Sequence, residues 1–225
     1  MEASNLQFRN QLLQFSLFQG ISSAEMLQMA GNTRFGFLKI PAGKTVVSEG
    51  EMCSQYYFLV KGTLKVISFP DDRSYHMDES LQAPWLIQPE SLFGLSLRYT
   101  YTVRAVTDCH FILLSKDEVL RLFDDILTFR LNLLNLLATL AQQRSHKQWR
   151  RAPKNLQERL IRFFIDHSIY PAGSKELFIR MEQLGAEMGE SRYYISRELN
   201  ALQQRGLIEL HRGRIVIPML EHLLQ

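Results

Sequence analysis

The spacing of apolar residues changes character twice along this chain, dividing it into a short helix, a run of strands and a helical tail. Over residues 22–30, Met26, Met29 and Ala30 share one helical face. Ser22 can cap that helix, and Glu25 completes a capping box. From Thr33 to Leu114 short runs rich in Val, Ile, Phe, Tyr and Leu are broken by Pro41-Ala42-Gly43, Glu49-Gly50 and Lys61-Gly62. This texture predicts short strands and turns, hence a small antiparallel roll or barrel. Residues 56–60 and 63–67 around Lys61-Gly62 predict a hairpin.

Beyond Leu114 the period turns helical. Ser115 and Glu118 form a second capping box, for a helix running to about Phe123. Asp124-Asp125 then predicts the cap of a longer helix. Within it Ile126, Phe129, Leu133, Leu136 and Leu140 follow a heptad seam, and Leu127, Leu131, Leu134 and Ala138 form a stripe beside it. Leaving one leucine side chain in water forgoes roughly 1.5–3 kcal/mol, so one stripe should meet the chain's own roll and the other something else. The economical partner is the same helix of a second copy in a two-fold dimer; the alternative is that both stripes are buried within one chain. The polar stretch 142–153, ending at Pro153, is the expected hinge.

In the tail, Leu156, Leu160, Phe163 and Phe164 mark an amphipathic helix, and Pro171-Ala172-Gly173 interrupts the pattern. A short helix over 181–188 carries Leu184 and Met188 on one face. Gly189 can supply the positive φ of a tight turn, and Ser191 can cap the helix that follows. In that helix Ile195, Leu199 and Leu202 face inward, while Arg192, Tyr193, Ser196 and Arg197 cluster on the opposite side of the first two turns. Arginine can donate two hydrogen bonds to guanine, and a tyrosine ring can meet a thymine methyl, so these four residues are the candidate base readers. Gly206 ends the helix, and residues 207–210 and 214–217 flank His211-Arg212-Gly213 as a hairpin with a basic tip. Arg180, Ser191, Arg212 and Arg214 are the candidate phosphate contacts.

Charge sharpens this division. Residues 147–225 hold 13 Lys/Arg against 9 Asp/Glu, and residues 1–146 hold 13 against 14, so the net +3 conceals a basic tail on a near-neutral body. Such an asymmetry fits a polyanion-binding module joined to something else. Two cysteines, Cys53 and Cys109, stand 56 positions apart without metal-site spacing, and buried, inert thiols are expected. No nucleophile-and-base arrangement, phosphate loop or metal motif is present, so neither an enzyme nor a cofactor is expected. The start, Met1-Glu2-Ala3-Ser4-Asn5, lacks the features of a signal peptide, and no apolar run approaches a membrane span. A cytoplasmic protein without membrane contact is the expectation.

Several of these segments together resemble the bacterial transcription regulators of the family that includes the cyclic-AMP receptor protein and the fumarate and nitrate reduction regulator (Crp/Fnr). The resemblance is carried by residues 17–22, 41–50 and 57–62, by the run from Gly189 to Leu199, and by Leu202 with Gly206-Leu207-Ile208. It implies an α+β chain: a double-stranded β-helix (jelly-roll, cyclic-nucleotide-binding-like) domain over 1–123, a dimerisation helix and hinge over 124–153, and a winged helix-turn-helix over 154–225. The implied partners are double-stranded DNA, a second copy, RNA polymerase if the protein activates, and a small-molecule effector of unknown identity.

Two departures modify what the resemblance implies. The middle base-reading place, commonly glutamate in the cyclic-AMP receptor branch, is Tyr193, which points to an altered half-site. In the sensor region Gly94-Leu95-Ser96 and Tyr99-Thr100 stand where cyclic-AMP binders carry a ribose carboxylate and a phosphate arginine. The effector pocket implied there (Gly94, Leu95, Ser96, Tyr99, Thr100) therefore lacks both charges, unless Arg98, one place earlier, supplies the second. The N-terminal cysteine group of the cluster-binding branch is absent, while His76 and His110 are possible haem ligands. The competing functional class is a cyclic-nucleotide-binding regulatory module that acts through protein contacts and whose tail does not touch DNA.

Overall fold

The computed structural model describes residues 2–147 and 149–224, with side chains from Gln7 onward; Gln148, inside the expected hinge, lies outside the described residues. The elements, in chain order, are α1 (Glu2–Leu12), a single 3-10 turn (Ser16–Phe18), α2 (Ser23–Asn32), β1 (Gly36–Ile40), β2 (Thr45–Val47), β3 (Gln55–Lys61), β4 (Thr63–Ser68), β5 (His76–Gln82), β6 (Trp85–Leu86), β7 (Thr102–Ala105), β8 (Cys109–Ser115), α3 (Lys116–Asp125), α4 (Leu127–Lys147), α5 (Leu156–Asp166), β9 (Lys175–Phe178), α6 (Met181–Met188), α7 (Arg192–Gln204), β10 (Glu209–His211) and β11 (Arg214–Ile217). Among the described residues no helix is long and apolar enough to cross a membrane. The chain forms two compact units: residues 1–64, 82–99 and 104–149, and residues 65–81, 100–103 and 150–225.

In the first unit an antiparallel sheet runs β1-β8-β3-β6. Its core is aromatic. Phe58 on β3 meets Phe15 at 4.9 Å, Phe18 at 5.5 Å and Tyr56 at 5.9 Å, and Phe18 meets Phe129 of α4 at 5.6 Å. Asn132, one turn on, donates to the carbonyls of Leu17 (3.2 Å) and Gln19 (2.8 Å), so the start of α4 is pinned to the 15–19 segment. Ser22 and Glu25 make the expected reciprocal capping box at α2.

Three local expectations are corrected. Residues 55–61 and 63–68 do not form a hairpin: β3 lies between β8 and β6, whereas β4 lies between β5 and β7. Gly62 carries the chain from one sheet to the other with φ +111°, and a Cβ there would stand 2.7 Å from the Cys109 sulfur and 2.8 Å from the Asp108 carbonyl oxygen. Only half of the second capping box forms, because Ser115 accepts the Glu118 N–H while the Glu118 carboxylate turns to Arg121 at 2.8 Å. Asp124 and Asp125 end α3 rather than cap α4, and Arg130 of α4 covers the freed carbonyls of Phe123 (2.7 Å) and Asp124 (2.8 Å). Gly62→Ala should lower stability by about 2–5 kcal/mol, the combined cost of the left-handed backbone and of overpacking against Asp108 and Cys109. Urea unfolding that leaves the midpoint unmoved would contradict this role for the glycine.

In the second unit the sheet order is β10-β11-β9-β5-β4-β7. The apolar core gathers Leu160, Phe163 and Phe164 of α5, Leu184 of α6, and Ile195, Leu199 and Leu202 of α7 against Leu177, Ile215 and Ile217 of the sheet. Strand β9 lies in a stretch the sequence pattern left without regular structure. It pairs with β11 on one side and with β5, from far upstream in the chain, on the other.

Candidate nucleic-acid interface

Two helices and the turn between them set the geometry. At the end of α6 Gly189 adopts φ +62°, and the Glu190 N–H donates to the Gly185 carbonyl at 2.9 Å. This approach is possible only because residue 185 is a glycine, since a Cβ would lie 2.8 Å from the Glu190 carbonyl oxygen. Arg159 on α5 donates to the Met188 carbonyl at 3.1 Å and pairs with the Glu190 carboxylate, so the turn is held from below. Ser191 occupies the N-cap position of α7 in extended backbone, but its side chain accepts no capping hydrogen bond, contrary to the capping role expected of it.

Helix α7 presents two unlike faces. Ile195, Leu199 and Leu202 are fully buried, as their spacing predicted. On the other side Arg192, Tyr193 and Arg197 are exposed and Ser196 is half-buried, accepting from Asn200 at 3.4 Å. The two arginines are held by carboxylates: Arg192 by Glu182 of α6 at 2.9 Å, and Arg197 by Glu198 at 2.8 Å while also lying 5.2 Å over the Tyr194 ring. The Glu198 carboxylate raises the Arg197 pKa further. Exposed ion pairs contribute between nothing and about 1 kcal/mol, so exchanging them for a base edge or phosphate costs little. Tyr194, packed edge-on to Tyr193 at 5.5 Å, is also exposed and adds a polar aromatic that helical periodicity alone did not assign to this face.

The other candidate contacts are distributed around this pair. Arg180 is exposed at the N-cap of α6, and Arg212 is exposed at the tip of the β10–β11 hairpin beside Gly213, whose φ is +72°. Arg214, expected beside it at the tip, is instead half-buried and pairs with Glu176 on β9 at 3.2 Å.

The residues proposed from sequence as an effector pocket differ sharply in exposure. Leu95 is fully exposed, Gly94, Ser96 and Thr100 are exposed, and Tyr99 is turned into the core of the first unit. There its hydroxyl meets the Cys53 thiol, and burial drives both groups' pKa values upward. Arg98 is exposed and donates to the Gly50 carbonyl at 2.6 Å. Cys53 and Cys109 are free and buried, with Cys109 likewise pushed up by burial. Among the described residues no group of His, Cys, Asp or Glu is placed to hold a metal ion. His76 stacks on Phe178 at 4.4 Å, and His110 is half-buried on β8.

Seam residues Ile126, Phe129 and Leu133 are buried within the first unit, and Leu136 and Leu140 are half-buried. Leu127 (61% exposed), Leu131 (50%) and Leu134 (49%) form the uncovered stripe of α4, with Ala138 also exposed. Leu136 and Leu140 also line a cleft of about 250 Å³ with Phe15, Leu17, Trp85 and Leu86.

Comparison with known families matches residues 37–125 to the cyclic nucleotide-binding domain and residues 158–225 to the Crp-like helix-turn-helix domain. No curated protein sequence matches the chain. The fold is similar to that of the catabolite activator protein of Thermus thermophilus (20% identity, 93% of this chain and 97% of that one, TM-score 0.53). It is also similar to the c-di-GMP responsive global regulator CLP of Xanthomonas campestris (20% identity, 88% and 99%, TM-score 0.50). The sensor domain of the transcriptional regulator DNR from Pseudomonas aeruginosa aligns over 69% of this chain and 99% of its own, at 20% identity and TM-score 0.54.

Proposed function

A cyclic nucleotide-binding domain followed by a Crp-like helix-turn-helix domain makes this chain a member of the Crp/Fnr family of DNA-binding transcription regulators, and from that premise we propose how it reads DNA and assembles. The observation that carries the reading is the exposed face of Arg192, Tyr193, Ser196 and Arg197 on the helix behind a glycine-built turn. In this proposal those side chains enter the major groove, where a bidentate arginine contact discriminates between bases by about 1–3 kcal/mol. Ser191, Arg180 and Arg212 take phosphates, and Tyr193 shifts the preferred half-site. Arg214 is a weaker phosphate candidate, because its pair with Glu176 already holds it on the sheet.

The protein acts as a homodimer on a near-palindromic operator. Leucines 127, 131 and 134 are spaced four and three apart on one face of α4, with the half-buried Leu136 and Leu140 at its flank. In a two-fold interface every contact is made twice, so Leu131→Glu removes two leucines and introduces two facing carboxylates. Sedimentation should show the dimer dissociation constant rising by about a hundredfold or more, given roughly 1.5–3 kcal/mol per leucine. A variant that stays dimeric at submicromolar concentration would place the interface elsewhere.

The proposed roll does not respond to cyclic AMP in the familiar way. Supporting this, Leu95 is exposed where the resemblance implies a ribose carboxylate, and the Arg98 guanidinium is engaged with the Gly50 carbonyl. The domain boundaries we propose remain 1–123, 124–153 and 154–225, with RNA polymerase a partner if the bound promoters are activated. Genome-wide mapping of bound sites tests the reading. Two inverted half-sites centred about 10–10.5 base pairs apart are expected, and recovered sites without two-fold symmetry would overturn the dimeric mode.

A further inference from the structure

Residues 65–81 fall inside the segment matched to the cyclic nucleotide-binding domain, yet they belong to the same compact unit as the helix-turn-helix. Strand β5 adds to the free side of β9 in register, with His76 opposite Phe178, Met77 opposite Leu177, Asp78 opposite Glu176 and Glu79 opposite Lys175. The last pair is an ion pair at 2.9 Å whose two side chains are completely buried. Glu79 also accepts the N–H groups of Ile169 (2.6 Å) and Tyr170 (3.1 Å), and Lys175 donates to the Ala172 carbonyl at 2.8 Å.

This joint is specific in register, and its central ion pair does little to hold it closed. A one-residue slip would break the ion pair and turn every β5 side chain to the wrong face. A buried ion pair nevertheless adds little net stability, because both ions recover full hydration when they separate. Tyr75 and Met77 of the hairpin enter the apolar core of the unit, and the Tyr75 hydroxyl meets a His167 ring nitrogen at 3.0 Å.

The turn that joins β4 to β5 carries Asp71, Asp72 and Arg73, all exposed, with Arg73 drawn back over the Phe69 ring at 5.0 Å, so the turn keeps a net negative charge. Asp72 accepts from the Ser74 N–H (3.1 Å) and hydroxyl (2.8 Å), and the Ser74 hydroxyl in turn accepts from Gln183 on α6 at 3.3 Å. Those two bonds from Ser74 lower the Asp72 pKa, so the carboxylate is charged at neutral pH. A negative charge thus stands one side chain away from α6, the helix that in a helix-turn-helix crosses the phosphate backbone.

We propose that the β4–β5 hairpin is an autoinhibitory clamp: while β5 is paired to β9, its acidic turn stands against α6 and opposes DNA, and tight binding follows when the hairpin leaves. The inference rests on the reading of α6 and α7 as the DNA-binding pair. Its test is a reversible lock. His76→Cys with Phe178→Cys places two thiols directly across the β5–β9 ladder, where Cβ atoms lie about 4.5–5.5 Å apart. Binding to a random-sequence DNA duplex is measured at low salt for the oxidised and the reduced variant, with the parent protein treated identically. The oxidised form should bind about tenfold or more weakly than the reduced form, and the difference should shrink as salt screens the acidic turn. Asp71→Asn with Asp72→Asn in the locked variant should restore most of the loss. Equal binding by oxidised and reduced forms overturns the clamp. Failure of the reduced and parent proteins to bind DNA at all would instead overturn the DNA-binding reading.

Discussion

Replacing both Arg192 and Arg197 by alanine is expected to abolish discrimination between the operator and random DNA while leaving the fold intact. Both side chains are largely exposed, and they are held by the carboxylates of Glu182 and Glu198 and by the Tyr194 ring. Their loss should therefore cost little stability, since exposed ion pairs contribute at most about 1 kcal/mol. Each bidentate contact to a guanine is worth about 1–3 kcal/mol of discrimination, so each single variant should lose roughly 5- to 150-fold in operator affinity. The residual binding should approach that to random sequence. Arg212→Ala is the informative contrast. A phosphate contact at the wing tip carries no sequence information, so this variant should weaken all DNA alike and reduce the salt-dependence slope by about 0.9. Fluorescence anisotropy with operator and scrambled duplexes at several salt concentrations separates the two outcomes. A double variant that retains its preference for the operator would remove α7 from the role of reader.

What the sequence disclosed and what it hid follow from the range of the interactions. Caps and stripes are local. The Ser22–Glu25 box, the Gly189 turn and the inward series Ile195, Leu199 and Leu202 could all be read from spacings of three, four and seven, and all are present in the structure. Strand partners are not local. Lys61-Gly62 looks like a hairpin turn, but what separates β3 from β4 is the partner each finds elsewhere, β8 for one and β5 for the other. β9 was invisible for the same reason. Four residues of mixed character following Pro171-Ala172-Gly173 make a strand only because β11 and β5 supply its two edges. The stripes of α4 were legible as two apolar faces, but which one turns inward is decided by Phe18, Phe129 and the Asn132 hydrogen bonds, contacts more than a hundred residues apart in sequence. The close approach at Gly185 left only a weak trace, a glycine within a helical pattern.

Removing one member of the Glu79–Lys175 pair should open the β5–β9 joint, and the two removals should differ in size. With Lys175→Met the Glu79 carboxylate keeps two backbone donors, the N–H groups of Ile169 and Tyr170. With Glu79→Leu the ammonium keeps the Ala172 carbonyl, the nearby Tyr170 ring and the charge of Glu221, while both N–H groups lose their acceptor. Breaking a buried pair from one side costs about 3–5 kcal/mol, because it leaves an uncompensated charge in a dry site. Glu79→Leu belongs at the upper end of that range and Lys175→Met at the lower. Hydrogen exchange at the β5 and β9 amides should accelerate by roughly 150- to 5,000-fold in the single variants, the same free energy expressed as an opening constant. The double variant Glu79→Leu with Lys175→Met removes both charges together and should recover most of the protection, since apolar replacement of a buried pair is often neutral or stabilising. DNA affinity should move in the opposite sense to protection, rising in each single variant and falling again in the double. A single variant that loses amide protection without gaining DNA affinity would show that the joint holds the sheet together but does not govern access to α6.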